Sequence, residues 1–90
     1  MSADRLARMR AALLAAMPDA QIELIDDSAA HAGHAGAASG RGHYRVQIVS
    51  QDFSGRKPIE RHRLVYDALG AMMQTDIHAL SISARTPGET

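Results

Sequence analysis

The stretch from His43 to Ala84 changes its apolar period twice, and few chain paths accommodate that change. His43 to Ser50 alternates, with Tyr44, Val46 and Ile48 on one side, as a strand with one buried face does. Asp52-Phe53-Ser54-Gly55-Arg56-Lys57-Pro58 then reads as a turn, where glycine supplies a positive φ and proline enters a helix at its first position. Leu64, Val65, Ala68, Leu69 and Met72 follow as one helical stripe, with Arg63 and Asp67 facing away and His62 at the stripe's edge. Alternation returns from Ile77 to Ala84, which places His78, Leu80 and Ile82 together, and Arg85-Thr86-Pro87-Gly88 ends the ordered pattern. Two strands joined through a helix in one sheet run parallel, and their crossover is right-handed.

The N-terminal part adds a helix and a strand. Asp4 to Met17 spaces Leu6, Met9, Leu13, Leu14 and Met17 along one face, and Pro18 stops it. Gln21 to Asp26 alternates with Ile22 and Leu24 on one side. The expected order is α-β-β-α-β: an α/β (α+β) chain with a three-stranded mixed sheet, the first strand antiparallel to the second, and both helices on one face. Glu23, Arg45, Gln47, Ser81 and Ser83 then form a polar face that needs no cover. Arg61 projects into the helical stripe, so the helix is expected to overhang the sheet there and leave Arg61 and His62 near solvent.

Ninety residues suffice for one domain, here residues 1–87 with a tail at 88–90. A chain this short hides only about 60–65% of its unfolded surface, so a deep catalytic cleft is not expected. Cysteine is absent, which excludes disulfides and thiolate ligands from this chain. Ten basic and ten acidic residues cancel overall, yet Arg41, Arg45, Arg56, Lys57, Arg61 and Arg63 face only Asp52 and Glu60 between positions 31 and 63. No apolar run is long enough to span a membrane, and Arg5, Arg8 and Arg10 interrupt any signal-peptide core, so a cytoplasmic location is expected.

His31, His34 and His43 lie in or beside an alanine- and glycine-rich segment between the first two strands, too long for a tight hairpin. Its composition buries too little to offset the entropy of ordering, so mobility is expected of it. His31 and His34 read as loop ligands or as ordinary polar residues, and with His62 they could form a zinc or copper site. His43 falls on the polar parity and reads as a structural or surface histidine. His78 reads as a hydrogen-bonded core histidine, and Met9, Met17, Met72 and Met73 as core filler.

Taken together, "IDDSAAH", "GHYRVQIVSQDFSGRKPIERHRLVYDAL" and "IHALSISARTP" resemble the BolA family in order and spacing through residues 22–87. The resemblance implies a class II KH-like fold and an adaptor role with a monothiol glutaredoxin, with no cofactor in the isolated chain. It further implies a [2Fe-2S] cluster shared with that partner and glutathione. His62, between the two arginines of "RHR", matches one family ligand, and the loop motif places the second at His31, with His34 as an alternative. Asp27 stands where the family commonly has glutamate. Two histidines on one iron and two thiolates on the other is a known arrangement that raises the reduction potential, and here the thiolates must come from the partner. Arg56, Lys57, Arg61 and Arg63 are the expected contacts for the anionic cluster and glutathione carboxylates. Alone, the chain is expected to be a monomer or weak homodimer.

Two other classes fare less well. KH-like folds bind nucleic acid and family members are linked to transcriptional control, so a DNA-binding regulator is the alternative. The specific signals for it are weak: the aromatics are Tyr44, Phe53 and Tyr66, with Tyr44 on the inward parity. Nothing signals a nucleophile elbow or a substrate pocket, and no enzymatic activity is expected.

Overall fold

The computed structural model describes residues 2–27 and 42–89. The expected mobile loop, with His31 and His34, lies outside the described residues. β2 (Gly42–Val49) is the middle strand, flanked by β1 (Gln21–Asp26) in antiparallel and β3 (Ile77–Arg85) in parallel pairing. α1 (Ser2–Ala16) precedes the sheet, and α2 (Pro58–Leu69) followed by the short α3 (Met72–Thr75) carries the chain from β2 to β3. The mixed three-stranded sheet and its element order agree with the sequence reading.

Alternation in β2 decides where the core sits. Tyr44, Val46 and Ile48 are buried against Met9 and Leu13 of α1, Met17 just beyond it, and Val65 and Leu69 of α2, which puts both long helices on one face. On the other face Glu23, Arg45, Gln47, Ser81 and Ser83 are exposed, as their polarity demands. Phe53 is the largest fully buried side chain, although its turn-like surroundings gave it no core role from sequence. A 3-10 turn, Gln51–Phe53, rolls it under the helices. Ser50 caps that turn by accepting from the Asp52 N–H (3.1 Å), and its hydroxyl donates to Asp19 Oδ1 (2.8 Å).

Two expectations need correction. The single second helix is broken, because Gly70 takes φ 56° and its N–H closes α2 on the Tyr66 carbonyl; Met72 therefore belongs to α3. His78 is exposed rather than in the core. Gly42 pairs with Ile77 but His43 pairs with Ala79, so β3 carries an extra residue at His78, and this bulge resets the parity between buried Ile77 and inward Leu80.

The entry to β3 is held by a carboxylate under α1. Asp76, 8% exposed, accepts from Arg5 Nε (3.0 Å), Arg8 Nη2 (2.8 Å) and Thr75 Oγ1 (2.6 Å). Those contacts, the Thr75 hydroxyl first and Arg8 next, hold its carboxyl below the ordinary range. Arg5 Nη1 also donates to the buried Tyr44 hydroxyl (3.1 Å), and Gly42 must be glycine because a Cβ there would run into the Tyr44 ring.

Leu69→Ala should lower the unfolding free energy by about 2–5 kcal/mol, since it empties a packed site where both helices meet the sheet. Ile59→Ala, at a position 64% exposed on α2, should stay within about 0.5 kcal/mol of the parent. Urea unfolding curves check both, and equal midpoints for the two variants would contradict this core.

Candidate functional site: the turn and first turns of α2

Gly55, with φ 73°, turns the chain after Phe53, and Pro58 opens α2 with a φ already suited to a helix. The Lys57 N–H donates to Glu60 Oε1 (2.8 Å), which satisfies one of the donors left orphaned at a helix start. Arg56 folds back and donates from Nε to the Asp52 carbonyl (2.9 Å). This hydrogen-bonded platform carries His62 on the second turn of α2, half-buried, with Arg63 exposed beside it.

Arg61 behaves differently from its neighbours. Its side chain is 14% exposed, so the helix does not leave it near solvent as its projection suggested. The guanidinium forks onto Glu89, Nη1 to Oε1 (2.6 Å) and Nη2 to Oε2 (3.0 Å), while Nη1 also reaches the Ala84 carbonyl (3.2 Å) and Nε the Arg56 carbonyl (3.0 Å). The Thr86 N–H completes the cradle around Glu89 Oε1 (3.0 Å). One side chain thus ties together the turn, the start of α2, the end of β3 and the residues after it. A planar fork opposite a carboxylate suits this better than a lysine would.

The structure therefore places Arg56, Lys57, Arg61, His62 and Arg63 on the turn and the first turns of α2, with Arg61 turned onto Glu89 and Arg56, Lys57 and Arg63 exposed. His31 and His34 lie outside the described residues. Among the described residues no group of three or more histidine, aspartate or glutamate side chains is placed to hold a metal ion. Sequence reading missed Glu89, because nothing in a strand or helix period marks a carboxylate that returns from beyond the last strand. It also missed that His43 and His78 meet, although a visible signal existed: Ile77 and Leu80 are both apolar, and both can point inward only if a residue between them is extra.

A family model described as BolA-like protein matches residues 13–89. The chloroplastic protein BOLA1 of Arabidopsis thaliana is 40% identical over 90 residues, covering 97% of this chain and 56% of its own length. The DNA-binding transcriptional regulator BolA of Escherichia coli (strain K12) is 34% identical over 79 residues, covering 88% of this chain and 72% of that protein. The BolA domain of SufE1 from Arabidopsis thaliana superposes with a TM-score of 0.83 at 40% identity, covering 96% of this chain and 95% of that one. This chain spans little more than half the length of the chloroplastic relative. Among the described residues no helix is long and apolar enough to cross a membrane.

The Arg61–Glu89 pair makes a pH-dependent contribution of definite sign. Arg61 first, and then the Thr86 N–H, holds the Glu89 carboxyl at about 2, below its ordinary 4.5. Because the folded value is the lower one, the pair's contribution is complete above about pH 4.5 and is lost as pH falls toward about 2. The gap in urea midpoint between the parent and Glu89→Gln should therefore be constant from about pH 7 to 5 and shrink progressively from about pH 4.5 down to about pH 2. A gap independent of pH over that range would contradict the ion pair.

Proposed function

The chain belongs to the BolA-like protein family, and from that premise we propose that it is an adaptor for a monothiol glutaredoxin. In this reading it supplies histidine ligands, His62 with His31 or His34, to a [2Fe-2S] cluster shared with that partner and glutathione. The observation that carries the proposal is His62 itself: a half-buried imidazole on a capped, proline-started helix turn, in a chain that has no cysteine. A chain whose sequence has no cysteine fits a cluster completed by another protein's thiolates. When bound, such a cluster supplies one-electron chemistry at a potential raised by histidine ligation.

The work of this chain's own residues follows from their placement. His62 is held on a helix turn whose base is locked through Arg61, so its imidazole is presented with little reorganisation. Arg56, Lys57 and Arg63 are exposed around it and raise the local concentration of anionic partners. Arg61 serves chiefly as the brace beneath them.

A second reading rests on the Escherichia coli relative, whose name assigns it DNA binding and transcriptional regulation. The exposed cations of the turn and α2 would then meet phosphates. Salt separates the two: phosphate contacts lose affinity steeply between about 50 and 200 mM salt, whereas ligation of a shared cluster responds far less.

His62→Ala should stay folded, with an unfolding midpoint close to the parent's, because the residue lies at the edge of the core. Mixed with a monothiol glutaredoxin, iron, sulfide and glutathione, it should lose the visible circular dichroism of a histidine-ligated cluster. His31→Ala alone should weaken that signal, and His31→Ala with His34→Ala should abolish it. An unaltered spectrum from the folded His62→Ala chain would overturn the ligand assignment.

A further inference from the structure

β3 pairs with β2 on one side only, and its other side is an edge of the sheet. The Ser50 N–H donates to the Arg85 carbonyl (2.9 Å), so the backbone groups of Arg85 face β2. Backbone groups alternate in direction along a strand, and those of Leu80, Ile82 and Ala84 therefore face away from the sheet. Arg61 fits that direction, since its Nη1 donates to the Ala84 carbonyl (3.2 Å). Among the described residues, Leu80 and Ile82 have no partner for their outward N–H and C=O groups. Their inward side chains are also only half-buried, whereas Val46 and Ile48 on the middle strand are 1% and 0% exposed. Edge strands are ordinarily blunted by charge, by proline or by a covering element. From Ile77 to Ala84 this edge has no lysine, arginine, aspartate, glutamate or proline, and it lies open between the bulge at His78 and the Arg61 clamp.

From this geometry we infer that β3 is a docking edge for a second copy of this chain, which adds its own β3 in antiparallel pairing about a twofold axis at Ser81. In that register Leu80 meets Ile82 of the copy and Ile82 meets Leu80, and each pair exchanges both its N–H···O bonds. A twofold interface must be self-complementary, and this strand is: apolar side chain faces apolar side chain on either side of Ser81, and no charge is set against another. A strand carrying carboxylates or cations gains nothing from so uncharged an edge, so the charge pattern favours the copy. β1 is the poorer edge, because Glu23 and Asp26 lie within it and Arg10 Nη1 already donates to the Ile22 carbonyl (2.8 Å). The next rung of the β3 pairing would join His78 to Ala84 of the copy. Arg61 holds that carbonyl, so the ladder stops short of it. A contact this small makes a weak, reversible dimer. His62 lies on α2 and outside the pairing strand, so the dimer stands independently of the cluster reading.

The test is sedimentation velocity of the full chain from about 20 µM to about 2 mM, with half-dimerisation expected at about 0.1–1 mM. Ser81 is exposed and stands across the axis from itself, so Ser81→Lys should set like charges opposite each other and raise the dissociation constant about fivefold. Ser81→Glu should do the same, and an equimolar mixture of the two variants should associate at least as tightly as the parent. Ser83→Lys sets its charge opposite Ala79 of the copy and should stay within about twofold of the parent. All three positions of change are exposed, so each variant should keep the parent's far-ultraviolet circular dichroism. A parent that stays monomeric at the highest concentration would overturn the dimer and leave the edge to a strand of another protein. Equal weakening by Ser81→Lys and Ser83→Lys, or no recovery in the mixture, would overturn the Ser81 register and with it this docking edge.

Discussion

β2 has no alternative place for Tyr44, Val46 and Ile48, and the rest of the structure is arranged around that row. A three-stranded sheet in a small chain can cover only one face well, so both long helices must meet on it. The parallel partner β3 can be reached only by a crossover, and right-handedness puts that crossover helix on the same side as α1. Met9 and Leu13 from one helix, Met17 just after it, and Val65 and Leu69 from the other then close over β2, with Phe53 packed in the same cluster. The opposite sheet face is left polar and open.

Charged and polar clamps fix the ends that this small core does not reach. Asp19 accepts from Ser50 and from the Gln51 N–H, joining the α1–β1 turn to the end of β2. Asp76 gathers Arg5, Arg8 and Thr75 at the other end of the sheet. Arg61 and Glu89 do the same for the turn before α2. The third clamp underlies the helix turn carrying His62, the ligand we propose, while Arg56, Lys57 and Arg63 stay at the surface.

Much of this was legible in the sequence, and the parts that were not share a physical cause. The alternation in β1 and β2, the stripe of α2 and the parallel pairing of the β-α-β unit are local or pairwise rules, and they held. The break at Gly70 was hidden because Met72 continues the helical stripe on paper; only the positive φ ends it. His78 looked like a core residue because strict alternation assumes a register without bulges. Arg61 looked solvent-bound because its partner, Glu89, is 28 residues away and outside any periodic pattern. The turn and His62 were visible because capping signals and the "RHR" motif are local. The histidines at 31 and 34 lie outside the described residues.

Among the described residues, His62 lies on the helical layer and His43 and His78 on the open sheet face. The central claim concerns the first of these, that a chain without cysteine completes a partner's cluster through imidazole nitrogen. It is tested most directly by labelling only this chain's histidines with ¹⁵N, assembling it with unlabelled monothiol glutaredoxin, iron, sulfide and glutathione, and recording pulsed EPR of the reduced complex. Strong ¹⁵N couplings from directly ligated imidazole, diminished by His62→Ala, are the predicted result. A reduced cluster with no ¹⁵N coupling from this chain would contradict it.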